Sequence, residues 1–110
     1  MSAPATRFSY SECYEAWEKA KESPKGIRVQ FATIEEATTF RQRLHKARSI
    51  DRTDNTIIYG QDDPLYGRSV YDPYMVRIRQ DTEDFYWVYI IPVSIEMLKI
   101  ESLDEIEDRP

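Results

Sequence analysis

The stretch Thr33 to Arg52, TIEEATTFRQRLHKARSIDR, decides how the chain is read. Thr33 and Glu36 stand three apart, a capping box that opens a helix because the two residues satisfy backbone N–H groups the first turn leaves unpaired. Ile34, Ala37, Phe40, Leu44, Ala47 and Ile50 then recur at steps of three and four. They form one apolar stripe, so the helix is expected to lie on a sheet.

The borders of that stripe are basic. Arg41, His45, Arg48 and Arg52 follow at i, i+4, i+7 and i+11 on one side, and Arg43 and Lys46 lie on the other. Only Arg48 and Asp51 stand at helical pairing distance, whereas Arg48 and Arg52 repel across one turn at a cost of a few tenths of a kcal/mol. The sequence leaves two explanations. The cations meet acids from elsewhere, such as the acidic C-terminal segment, or favour the negative end of the helix dipole. Alternatively they meet phosphate or an acidic protein surface, for which the forked guanidinium of arginine is suited. His45, the only histidine, reads as part of this border, because no base-orienting partner is identifiable.

Upstream, Ile27, Val29 and Phe31 alternate with Arg28 and Gln30, the period of a half-buried strand. Ser23, Pro24, Lys25 and Gly26 separate it from an earlier helix, about Tyr10 to Glu22, with Ser9 and Glu12 as a second capping box. There Tyr10, Cys13, Tyr14, Trp17 and Ala20 form the inner face, and Glu15–Lys19 and Glu18–Lys21 neutralise the outer one. Trp17 reads as a core ring and Cys13 as a small core residue. A single cysteine allows no internal disulfide and no cysteine zinc cluster within one chain.

Downstream, the β-branched run Thr56 to Tyr59 reads as a strand. GQDDPLYGRSVYDP, Gly60 to Pro73, is a long connection for so small a domain. Its rings, Tyr66 and Tyr71, prefer burial or a partner. One reading is a flap that stacks them on bases or fills a partner's pocket, helped by Arg68; the other is an ordered loop packed over its own rings. Asp62, Asp63 and Asp72 are too little to place a magnesium ion, and neither metal nor cofactor is expected.

Tyr74 to Arg79 and Phe85 to Ile91, joined by a polar turn, read as an antiparallel hairpin. The second strand is apolar on both faces and should be central. Trp87 and Tyr89 read as core rings; exposed beside Arg77 and Arg79, they would instead make a basic aromatic platform of the kind that takes single-stranded nucleic acid. Residues 93–103 suit a strand or a helix equally, and residues 1–7 and 104–110 are expected to fray. The fold class is therefore α+β, a single domain over residues 1–110. Two helices pack on a small, mainly antiparallel sheet in the order helix, strand, helix, strand, long loop, hairpin and an undetermined last element.

With 110 residues, 41% hydrophobic and 32% charged, the chain suits one globular domain. No apolar run spans a bilayer and the N-terminus lacks a signal-peptide centre, so a cytoplasmic setting without membrane contact is expected. The net charge of −5 excludes an indiscriminate nucleic-acid coat, yet it is polarised: +4 over Arg41 to Arg52 and −4 over Val93 to Pro110. There is no phosphate-binding glycine loop, no GxSxG and no HExxH, and Glu96 and Lys99 are too far apart for an ExK arrangement. Catalysis is not expected.

The succession RxRLxKAR (Arg41 to Arg48), Asp51–Arg52, an IIY run and DDPxYGxSxYD (Asp62 to Asp72) resembles small uncharacterised proteins encoded by tailed phages. The resemblance implies a protein acting in the host cytoplasm, binding nucleic acid or a host machine. The sequence thus leads to a non-enzymatic module contacting phosphates through Arg41, Arg43, Lys46, Arg48 and Arg52, with Arg68, Arg77 and Arg79. Its rival is a module that binds and modulates a host protein, with Tyr66 and Tyr71 at the contact. A homodimer through the aromatic hairpin is a third arrangement.

Overall fold

A computed structural model describes residues 7–81 and 84–93. A 3-10 turn, Arg7–Tyr10, leads into helix α1, Ser11–Glu22; strand β1, Ile27–Phe31, helix α2, Ile34–Ile58, and strands β2, Tyr74–Gln80, and β3, Tyr86–Pro92, follow. The expected α+β class and the layering of helices on an antiparallel sheet are present, while the undetermined element after Val93 lies outside the described residues.

The strand order is β1-β3-β2, all antiparallel, with β3 central as its two apolar faces require. The register sets Val29 opposite Val88 and Val88 opposite Ile78, so Ile27, Phe31, Val76, Ile78, Val88 and Ile90 share the face on which both helices lie. The tight passage from α1 into β1 needs Gly26: its φ is +87°, and a Cβ there would sit 2.2 Å from the Ile90 carbonyl oxygen.

Trp17 and Cys13 in α1, Ala37, Leu44 and Ala47 in α2, and Val88 and Ile90 in β3 are fully buried. Each large side chain among them contributes about 1.5–3 kcal/mol by leaving water. The polar ends of the rings are satisfied by α2, since Trp17 Nε1 donates to the Leu44 carbonyl at 3.2 Å and the Tyr14 hydroxyl to the Ala47 carbonyl at 2.5 Å. Burial pushes the Cys13 thiol up to about 11, which keeps it protonated and unreactive near neutrality.

Two local expectations are corrected. Ser9 does not cap α1: the capping position is Tyr10, no side chain bonds there, and the Ser9 carbonyl and Glu12 carboxylate both accept from Arg43. Thr33 does cap α2, its Oγ1 accepting from the Glu36 amide at 3.2 Å and donating to the Glu36 carboxylate at 3.0 Å.

The second correction is larger. Thr56 to Ile58 is not a strand but the last turn of α2, which ends where Tyr59 adopts extended backbone. The reason lies on the inner face of the helix, which runs Ala37, Leu44, Ala47 and then Arg48, Asp51 and Asn55, all buried. The helical period continues past Arg52, but the residues carrying it turn polar, so counting apolar positions misses it. Ile57 and Ile58 point outward instead, 80% and 66% exposed.

Candidate nucleic-acid interface

The polar half of that inner face holds the 60–73 connection. Arg48, only 8% exposed, donates Nη1 to the carbonyls of Tyr71 at 2.9 Å and Tyr74 at 2.8 Å. Its guanidinium lies 4.9 Å from the Trp17 ring centroid, and Nη2 meets His45 Nδ1 at 3.2 Å. One turn on, Arg52 forks onto Asp72, with Nε at 2.8 Å and Nη2 at 2.6 Å. A turn further, Asn55 donates to the Arg68 carbonyl at 2.6 Å. Within the connection Asp72 accepts from the Ser69 amide at 3.0 Å and Asp63 from the Leu65 amide at 2.8 Å. The Asx turn at Asp63 and the backward contact from Ser69 to Asp72 make the segment an ordered loop.

Three of the cations on the borders of α2 are therefore engaged. Arg43 is bound by Glu12 and the Ser9 carbonyl, with its guanidinium 4.5 Å from the Tyr10 ring centroid; Arg48 is buried; Arg52 is paired. The expectation of unpaired cations is corrected for these three, and the cause is tertiary: their partners lie 20 to 34 residues away. Arg41, half-buried, and the exposed Lys46 and Arg68 have no side-chain hydrogen bond or ion pair among the described residues. Tyr71 is likewise corrected as a partner-facing ring. It is 5% exposed, stacked on Trp17 at 5.2 Å between centroids, and its hydroxyl donates to Glu18 at 2.6 Å. Tyr66 is half-buried in the same loop.

Local electrostatics follow these partners. Burial pushes the Asp72 carboxyl up, but the Ser69 amide and the Arg52 guanidinium outweigh it and leave its pKa below the ordinary value. Glu12 is also lowered, by its backbone hydrogen bond and then by Arg43. His45 is lowered by burial and by the charges of Arg48, Arg41 and Arg52, and so accepts from Arg48 as a neutral ring.

A different surface gathers cations and rings. The face of the sheet turned away from the helices carries Arg28 and Gln30 from β1, Trp87 and Tyr89 from β3, and Met75, Arg77 and Arg79 from β2. Arg28 stands opposite Tyr89, and Tyr89 opposite Arg77; Trp87 lies opposite Arg79. The Arg28 guanidinium stacks over the Trp87 ring at 3.8 Å from its centroid and reaches the Tyr89 hydroxyl at 3.4 Å. Arg79 lies 6.0 Å from the Tyr89 ring centroid. Trp87 is steadied by its Nε1, which donates to Asp81 at 2.7 Å in the hairpin turn. The core reading of Trp87 and Tyr89 is thus corrected: both are half-buried on the outer face, because the two helices cover only the other one.

Arg77 and Arg79 are the two expected phosphate contacts that lie on this face. Arg28 was missed by the sequence reading, which saw only the wet side of a strand; its signal was the antiparallel pairing of that side with a ring-bearing strand. The described residues carry thirteen basic and thirteen acidic side chains, so the net negative charge comes from Glu83 and residues 94–110. Among the described residues no cluster of His, Cys, Asp and Glu suits a metal ion, and no helix is long and apolar enough to cross a membrane. Compared with protein-family models, with curated proteins and with solved structures, the chain finds no match.

Proposed function

We propose that this chain is a small non-catalytic binding module that holds single-stranded nucleic acid on the outer face of its sheet. Arg28, Arg77 and Arg79 meet phosphates, while Trp87 and Tyr89, with the guanidinium planes packed against them, offer stacking surfaces to about two bases. The observation that supports this reading is the interleaving of three arginines with two rings on a face that neither helix covers. A duplex hides the faces of its bases, so this surface suits unpaired ones.

The test is fluorescence anisotropy of labelled oligo-dT and oligo-U against a duplex of equal length, over a salt series. Three phosphate contacts give a slope of log K against log salt of about −2 for a single strand. Arg28→Gln and Arg79→Gln each reduce it by about 0.7. Trp87→Leu loses roughly 1–3 kcal/mol of stacking, whereas Arg41→Gln, Lys46→Gln and Arg68→Gln leave affinity unchanged. Absence of single-strand binding at low salt overturns the reading.

A second reading, a protein-interaction module, is favoured by the outward Ile57 and Ile58 at the end of α2. Capture from extract after nuclease treatment separates the two, because nucleic-acid binding loses its bound material and protein binding keeps it.

A further inference from the structure

Among the described residues β1 is an edge strand, and its outer side is shaped to receive another strand. Among the described residues no strand pairs with Ile27–Phe31 on the side away from β3. Along that edge, on the helix side of the sheet, two adjoining hollows of about 360 and 230 Å³ share Phe40. Phe31 and Phe40, tilted rings 5.1 Å apart, floor the first, and Val29 and Ala16 the second. Edges that must stay unpaired are commonly blunted by proline, a bulge or an inward charge; within IRVQF there is no proline, and its helix-side residues are all apolar.

The rims of the hollows identify the occupant. Glu35 and Glu36 from the first turn of α2 border one, and Glu12 and Glu15 from α1 border the other. Glu12 and Glu15 are paired with Arg43 and Lys19, so of these four carboxylates the ones without an ion pair among the described residues are those of Glu35 and Glu36, at the phenylalanine-floored hollow. A strand added to β1 directs alternate side chains into the hollows, where a lysine or arginine lays its stem on the phenylalanine floor and carries its charge to the rim. The same carboxylates disfavour a second copy of this chain, since a two-fold β1–β1 pairing brings both sets of acids to one side of the joined sheet.

We infer that the outer edge of β1 docks an extended polypeptide segment in which valine-like and lysine or arginine side chains alternate with neutral residues, added as a fourth strand. Backbone pairing supplies affinity and the two hollows supply specificity. A strand matching the five residues of β1 is about 17 Å long.

The probe is a fluorescein-labelled, end-blocked peptide KTVTKTVT, with KKTTTTVV as the order control. Binding is followed by anisotropy and by amide shifts of the ¹⁵N-labelled full chain. The expected result is saturable binding of the alternating peptide, with the largest shifts at residues 27–31. Glu15→Lys with Glu35→Lys, both at exposed helix positions, weakens it roughly tenfold, corresponding to about 1.4 kcal/mol. Equal binding of both peptides, shifts centred on β2, or no binding up to about 1 mM overturns the inference. So does sedimentation showing a concentration-dependent dimer whose interface amides are those of β1, which assigns the edge to a second copy.

Discussion

Replacing Arg48 by methionine separates the two roles open to the basic border of α2, because the substitution keeps the stem and removes the guanidinium. In the folded protein that group donates to the Tyr71 and Tyr74 carbonyls and lies over the Trp17 ring. Hydrogen bonds from a charged donor are worth about 1.5–3 kcal/mol each, and a partly desolvated cation–π contact about 0.5–2 kcal/mol. Two effects offset the loss. The Tyr71 carbonyl keeps the Tyr74 amide as a donor at 3.2 Å, and the cost of burying the cation, which lowers the Arg48 pKa, is relieved. The net expectation for Arg48→Met is a loss of about 2–4 kcal/mol.

Urea denaturation reads this as a lower midpoint at unchanged slope. In a domain of this size the melting temperature falls by roughly 10–25 °C. Hydrogen exchange at amides 63–72 accelerates first, because the connection loses its clamp. Arg48→Lys retains the charge but not two donors on one planar fork, and recovers only part of the loss. A change below about 0.5 kcal/mol, the range of ordinary surface substitutions, refutes the structural role of Arg48. So does Arg48→Lys melting like the parent.

Three further outcomes follow. Gly26→Ala places a methyl group against the Ile90 carbonyl at positive φ, and it destabilises by more than the ~1 kcal/mol of an ordinary glycine replacement; exchange protection is lost first in β1. Thr33→Ala removes the cap of α2 and costs about 1 kcal/mol, measured by thermal melting. The folded-state pKa of His45 lies below the 6.5 of a free imidazole, so the unfolded chain takes up that proton first as pH falls. Stability present above about pH 7 is therefore partly lost through the pH 6 region, and His45→Gln abolishes that segment of the pH–stability curve. Asp72, lowered from 3.8, adds a separate loss only below about pH 4.

What could be read from the chain beforehand was whatever depends on local period. Thr33 as a cap, the α1 stripe, the Ala37, Leu44 and Ala47 part of the α2 stripe, the alternation in β1 and the centrality of β3 all follow from side chains within a few residues of one another, whereas Ile34, expected on that stripe, is exposed. What could not be read depends on partners far along the chain. Glu12 reaches Arg43 across 31 residues, and Arg48 reaches the Tyr71 carbonyl across 23. A backbone carbonyl leaves no trace in a sequence, so an arginine that serves one looks unpaired. The platform was half legible: Trp87, Tyr89, Arg77 and Arg79 were adjacent on paper, but which face the helices would cover was not, and Arg28 entered only through strand register.

The change along the inner face of α2 from Ala37, Leu44 and Ala47 to Arg48 and Asn55 also fixes where the helix sits. Apolar contact is non-directional, and a helix sliding or rolling along a greasy sheet would lose little of it. Hydrogen bonds to the Tyr71, Tyr74 and Arg68 carbonyls have only one alignment in which they all form. The greasy half supplies adhesion and the polar half acts as a key that selects one registration, so apolar substitutions in the second half should cost uniqueness of packing as well as stability.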